Sequence, residues 1–507
     1  FMASMLSGME YHGTEFYRAW TNLLFCQFHD VLAGSCIREA YEFDVFPMLE
    51  EALSIANRIS DLSTQSMASK IRIHKDKSII VFNPNAFAVR YPVEVNWIWQ
   101  EHPESLSDGM GGRVQCQIGE ASALSQGISS LVFVVDIPPL GYNVFEPLAA
   151  NQVDDRGENL IVGQFSLENR WLRIQLNETD GSIEKLTLKN AGQALVKDGA
   201  QALVLDDESD TWSHGVFQFD QVIGRFSCEK MEVVERGPVR GIVRARYRYG
   251  ASTIKQDFVL YADLDYLLCK VDIDWHEKRK MLKLMFPVMV NQPEAVFEIQ
   301  YGLVKRPTNG EEEPGLRWVD LSGEAGCNGT FGLTVINDSK YSYDVNGNAL
   351  RITALRSPAF AHHDPLRLES ASNPEYIGQG RQSFTYILRP HEGKLRPWEA
   401  IRIADSLIAS PVAIIESEHE GILPKIDSMG NISEAAVIMK VIKKAEEDGG
   451  WITRIYETSG SHVRTKISLP ALRLSFDVVL GPFEIKTFLI PEEGKVAKET
   501  NLIEEYL

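Results

Sequence analysis

A histidine and an aspartate stand side by side at His29-Asp30, within Gln27-Phe28-His29-Asp30, and Val31-Leu32-Ala33-Gly34-Ser35-Cys36-Ile37 follows. A neutral imidazole is a good zinc ligand, and an adjacent carboxylate can take a sugar hydroxyl. A zinc site needs at least three protein ligands, so this pair requires partners from elsewhere. Taken alone, a His-Asp pair arises by chance about once in a chain of this composition, and a capping or core histidine is the plainer reading. His362-His363-Asp364 is a second candidate, flanked by Ser357-Pro358 and Pro365. Adjacent histidines rarely turn toward one metal, and a solvated loop is the plainer reading. The densest acidic run is Asp206-Asp207-Glu208-Ser209-Asp210, followed by Thr211-Trp212-Ser213-His214-Gly215. It can be read as a cation site, as a platform on which a sugar ring stacks on Trp212, or as a solvated loop that caps strands. Glycoside hydrolysis would need two carboxyls about 5–9 Å apart. No Gly-x-Ser-x-Gly elbow, P-loop or Gly-x-Gly-x-x-Gly turn is present, which disfavours acyl hydrolase, nucleotide-binding and Rossmann readings.

The elements that must position these residues come in two kinds. The first 70 residues read as helical. Phe16, Trp20, Leu23, Leu24 and Gln27 share one helix face, so Gln27-to-Asp30 is expected to lie at that helix's end. A second helix is expected from Ser35 as N-cap, with Phe46, Leu49, Leu53, Ala56 and Ile59 on one face and Pro47 breaking or kinking it. Both stripes are expected to be the core of a helical bundle. Beyond Lys70 the pattern turns to period two. Leu172, Ile174 and Leu176 lead through Asp180-Gly181 to Ile183, Leu186 and Leu188, a predicted hairpin. Val243 to Tyr249 and Cys269 to Trp275 alternate apolar and polar residues, as half-buried strands do. The chain therefore reads as a helical bundle over 1–72, a small β domain over 73–150, a large antiparallel sandwich over 151–400 and a C-terminal β domain over 401–507. The acidic tail from Glu499 is expected to fray.

With 51 basic against 70 acidic residues the net charge is −19, which argues against nucleic acid or an anionic membrane and suits a neutral ligand such as a sugar. No apolar run approaches the ~18 residues of a membrane span. Cys26, Cys36, Cys116, Cys228, Cys269 and Cys327 are scattered without Cys-x-x-Cys spacing, the pattern of reduced thiols in the cytoplasm. Sequons at Asn177, Asn328, Asn337 and Asn431 are close to the roughly three expected by chance and carry no weight. The chain begins on Phe1 without a signal peptide and reads as a piece of something longer.

Ala19-Trp20, Leu23-Leu24, Gln27-Phe28-His29-Asp30 and Gly34-Ser35, in that order, resemble the active-site bundle segment of the retaining α-mannosidases of glycoside hydrolase family 38. Further matches follow in order: Leu140-Gly141-Tyr142, Asp210 to Gly215, Met281 to Leu284, Glu298 to Gly302, Arg317 to Ser322, Ile336 to Tyr341, Leu355 to Pro358, Arg389-Pro390-His391 and Arg454 to Glu457. The likeness is to the bacterial and cytosolic branch and spans about residues 10–495. It implies a galactose-mutarotase-like supersandwich after the bundle, a zinc ion as cofactor with His29 as one ligand, and Asp30 on substrate hydroxyls. It also implies that the remaining zinc ligands, the nucleophile and the acid/base carboxyl belong to an N-terminal α/β domain that these residues do not contain. No catalytic residue is assigned within the chain, and the piece alone is expected to be inactive. The implied partner is a mannose-containing oligosaccharide, and a homo-oligomer is left open. The rival expectation is a non-catalytic carbohydrate-binding or scaffold sandwich, since fold does not dictate function.

Overall fold

The computed structural model describes residues 1–121, 127–148, 159–213, 215–326, 329–361, 375–447, 449–491 and 496–506. His214, Cys327, Asn328, Asp448, residues 151–158 of the linker, and His362, His363 and Asp364 lie outside the described residues. The chain is mainly β with helices confined almost entirely to its start. It divides into two compact units: Phe1–Tyr17, Ile55–Arg156 and Arg396–Leu507 form the first, and Arg18–Ser54 with Gly157–Leu395 the second.

The second unit holds sheets of five, six and nine strands. Their inward residues make one continuous core that includes Trp275, Phe286, Phe297, Tyr343 and Tyr386. The predicted hairpin is present: Leu172–Leu176 pairs antiparallel with Ile183–Leu188. Gly181 sits at its turn with φ of 70°, and a Cβ there would stand 2.9 Å from the Tyr247 ring, so both conformation and space require glycine. Val243, Ala245 and Tyr247 point inward from strand Arg240–Tyr249, and Cys269, Val271, Ile273 and Trp275 from Leu267–Trp275, as the alternation requires. Outward, Lys255 opposes Asp272 at 2.6 Å across a depression of about 450 Å³ that Arg381 and Asp274 also line.

Asp320 is a buried exception to the apolar interior of this unit. It accepts hydrogen bonds from Thr334 Oγ1 at 2.7 Å and Ser322 Oγ, and His391 Nε2 stands 2.9 Å away. Burial pushes its carboxyl up, but His391, Ser322 and Thr334 together outweigh that and hold it below the ordinary range. A carboxyl depressed in the folded state stabilises the protein above its unfolded value of about 3.9 and loses that contribution as pH falls through its folded value. Asp320→Asn is therefore expected to melt lower than the parent at neutral pH. The gap should close below about pH 4. Thermal melts between pH 2 and 7 test this, and a pH-independent gap would refute it.

The first unit is built on an eight-stranded sheet that includes Ser78–Asn83, Val89–Trp97 and Gly141–Pro147. Asn83 Oδ1 accepts the Asn85 N–H at 2.9 Å, closing the Asn-Pro-Asn turn seen in the sequence. Strand Val412–Glu416, from far along the chain, pairs with Ser78–Asn83, and Ile426–Ser428 pairs with Gly141–Pro147. Sheets of three and four strands complete this unit around Trp451, Ile455 and Ile467. The acidic tail departs from expectation at its start, where Lys498–Thr500 pairs with Ile485–Ile490.

The helical segment departs from expectation in four ways. Helix Gly13–Phe25 ends before Gln27, and His29 opens a separate one-turn helix, His29–Leu32. Ser35 does not cap the next helix, which starts at Arg38 after Ile37. Pro47 does not break it either. A π turn over Tyr41–Val45 precedes Phe46–Ala68, and the wider turn accommodates a ring that would clash with the carbonyl four residues back. The largest difference is burial. Trp20 and Leu24 are 58% exposed and Leu53 61%, and helix Gly13–Phe25 buries none of its residues. Two helices can enclose only the narrow seam between them, here Cys26 and Val45. Ile59 is also buried and Phe16 and Leu23 are half-buried, while the rest of the two stripes faces outward.

Candidate functional site

Phe28 is extended, with φ of −54° and ψ of 141°, and turns the chain into the helix His29–Leu32. Gly34, at φ of 80°, then takes the left-handed conformation that ends the turn. The turn is tied from below. Tyr41 Oη donates to the Val31 carbonyl at 3.0 Å and reaches the Asp30 carbonyl at 3.4 Å, while the Cys36 N–H donates to Tyr41 Oη at 3.4 Å. Burial is the chief force pushing the Tyr41 phenol up, so it stays a donor at neutral pH. Ser35 Oγ donates to the Asp30 carbonyl at 3.2 Å and reaches Oδ1 at 3.5 Å. Tyr41 also rests against Phe360, ring centres 6.2 Å apart, and Arg38 pairs with Glu375. The corner is thus moored both to its own helices and to the sandwich segment around Phe360 in the same unit.

The side chains of the corner face outward. His29 is 75% exposed, its Nε2 lies 3.4 Å from Asp30 Oδ2, and its ring packs 4.2 Å from that of Phe28. Among the described residues no group of three His, Cys, Asp or Glu side chains converges on one point. Cys36 is no ready third ligand, because burial, and then the Asp30 charge, push its thiol up and keep it protonated. The donors present therefore fit part of a zinc site and do not fit a complete one. Tyr41 was missed from sequence, and Ser35 was read as a helix cap rather than a brace of the turn. Their roles depend on a fold-back of the chain that no local pattern announces.

The acidic run does not form a cation site. Asp207 is buried and grips Arg356 through two bonds, Nε–Oδ2 at 2.7 Å and Nη2–Oδ1 at 3.0 Å. Glu208 faces Arg279 at 3.3 Å, and Asp210 Oδ1 accepts the Trp212 N–H at 3.0 Å. Of the described carboxylates here, these three are engaged within the fold.

Two family descriptions match the chain in tandem. The alpha mannosidase middle domain covers residues 1–67, the segment that carries His29 and Asp30, and the glycosyl hydrolases family 38 C-terminal domain covers 167–364. The chain belongs to glycosyl hydrolase family 38. Among relatives, alpha-mannosidase G of Dictyostelium discoideum is 23% identical over 93% of this chain and 47% of its own length. Alpha-mannosidase 2C1 of Mus musculus is 28% identical over 89% of this chain and 41% of its own. The crystal structure of an alpha-mannosidase from Enterococcus faecalis shares the fold, with a TM-score of 0.75 at 15% identity, covering 96% of this chain and 64% of that one. The chain spans less than half the length of these two curated relatives. The helical corner falls within the first of these two descriptions and most of the large sandwich within the second.

Proposed function

We propose that these residues are the middle and C-terminal part of a retaining, zinc-dependent α-mannosidase that removes terminal α-linked mannose from glycans. The observation that carries this reading is the position of His29-Asp30. The pair lies inside the matched middle domain, on a turn braced by Tyr41 and Ser35, with His29 open to solvent and Asp30 half-buried beside it. His29 offers one ring nitrogen to zinc, and Asp30 offers an oxygen to substrate hydroxyls. Zinc, when bound, supplies Lewis-acid polarisation of the sugar hydroxyls. Residues outside these 507 supply the other ligands, the attacking carboxylate and the acid/base carboxyl. The outward apolar stripe with Trp20, Leu24 and Leu53 is the surface on which they seat. The described cysteines are all free thiols, which supports a reducing compartment, the cytoplasm, as the place of action.

The test is hydrolysis of an aryl α-mannoside. The purified chain with added zinc is expected to be inactive. Joined to the catalytic domain of a family 38 relative, it is expected to release mannose with retention, followed by the anomer first formed in the NMR spectrum. Hydrolysis by the chain alone would sink the reading. Failure of a folded, joined protein to cleave any α-mannoside would do the same and favour a non-catalytic sugar-binding module.

A further inference from the structure

The helix that carries His29 and Asp30 is four residues long. A single turn has no stability of its own, because it fixes several residues for very few hydrogen bonds. The His29 ring meets Phe28 and Asp30, its own chain neighbours, so its direction follows that of the backbone beneath it. What fixes that backbone must therefore come from elsewhere in the fold. The Tyr41 hydroxyl bridges the turn, from the Val31 carbonyl before Gly34 to the Cys36 N–H after it. Tyr41 also opens the π turn Tyr41–Val45, a distortion that recurs at functional positions, and its ring lies 6.0 Å from Phe46 and 6.2 Å from Phe360.

Phe360 belongs to a lip of the large sandwich. Ala359 pairs antiparallel with Tyr376, the Phe360 N–H donates to the Glu375 carbonyl at 3.0 Å, and the Ile377 N–H donates to the Pro358 carbonyl at 3.0 Å. Buried Ser357 roots this lip. Its N–H donates to the Lys280 carbonyl at 3.0 Å, its carbonyl accepts the Arg279 N–H at 2.9 Å, and its Oγ donates to the Ile377 carbonyl at 2.8 Å. Both arms of the lip meet the corner, Phe360 through Tyr41 and Glu375 through Arg38. The Arg38 pair is exposed and adds little, so the weight falls on Tyr41.

We infer that Tyr41 is a positioning residue for the His29-Asp30 corner: the sandwich lip holds its ring, and its hydroxyl holds the turn. The large sandwich then bears on the chemistry of the corner without supplying a ligand. Donor groups must be kept within about 0.5 Å of their places, and groups that orient a metal ligand matter to affinity for that reason. The role toward zinc rests on the reading of His29 given above.

Tyr41→Phe keeps the ring against Phe360 and Phe46 and removes only the hydroxyl. In the 507-residue chain, amide hydrogen exchange is expected to quicken about tenfold over residues 31–36, while the sandwich exchanges and melts like the parent. In the chain joined to a family 38 catalytic domain, competition with a chelator is expected to show zinc held about tenfold more weakly. Phe360→Leu, which leaves the hydroxyl and loosens the ring, should shift both readings less and in the same direction. Unchanged exchange over the turn in Tyr41→Phe overturns the positioning role. So does faster exchange with zinc held as tightly as in a zinc-binding parent. A joined parent that takes up no zinc overturns the reading of the corner as a metal site, and with it the role of Tyr41 toward the metal.

Discussion

Replacing His29 by alanine is expected to strip zinc from the joined enzyme and abolish cleavage of an aryl α-mannoside, while leaving the fold intact. Even residues that only support a metal ligand typically cost 10–100-fold in metal affinity or activity when lost, so removal of a direct ligand should cost at least about 100-fold. The fold should not notice. His29 is 75% exposed, and its contacts are the Phe28 ring and the 3.4 Å approach to Asp30. Exposed positions of this kind usually change stability by no more than about 0.5 kcal/mol. Asp30→Asn should behave differently, keeping zinc but raising KM, because its assigned partner is the sugar. Zinc content after dialysis against a chelator, read beside activity and the melting temperature, separates the cases. A His29→Ala protein that keeps its zinc and its activity refutes the assignment.

Lys283→Ala is expected to destabilise the chain by about 3–5 kcal/mol, the usual result of removing one partner from a buried ion pair. Lys283 is fully buried on strand Lys280–Pro287 and pairs with Glu312 and with the equally buried Asp344. Asp344 retains Arg351 at 2.5 Å, but Glu312 would be left with only the hydroxyls of Ser342 and Thr353 against a buried negative charge. Lys283→Met restores the volume without the charge, so it should recover little. Denaturant titrations with an unchanged slope and a lower midpoint would bear this out. A loss below about 1 kcal/mol for Lys283→Ala would show that water reaches the carboxylates.

Much of the β architecture was legible because strand alternation is a local signal. The runs Leu172–Leu176, Val243–Tyr249 and Cys269–Trp275 all present the faces their patterns predict. Lys283 is a residue whose place alternation does not reveal. It alternates into what looks like a wet face, yet the loop bearing Phe219 covers that face, and the lysine is buried with its partners. Amphipathicity in the helices was read as a bundle core, whereas Trp20, Leu24 and Leu53 are exposed, because periodicity marks an apolar face but not what packs against it. The pair His29-Asp30 was visible from residue type alone. The brace beneath it was not, since Tyr41 reaches the turn only through the fold-back that follows Gly34.

The pairing of Val412–Glu416 with Ser78–Asn83 sets a schedule for biosynthesis. A ribosome adds about 5–20 residues per second, so the earlier strand waits on the order of tens of seconds for its neighbour to emerge. The intervening sandwich can close during that interval, because its strands are contiguous in the chain. Ser78–Asn83, fully buried in the finished protein, can pair early on one side with Gly141–Pro147, but its other edge stays open to foreign strands throughout the delay. Chains released early, before Val412, should therefore be disposed of by quality control even when their large sandwich is sound.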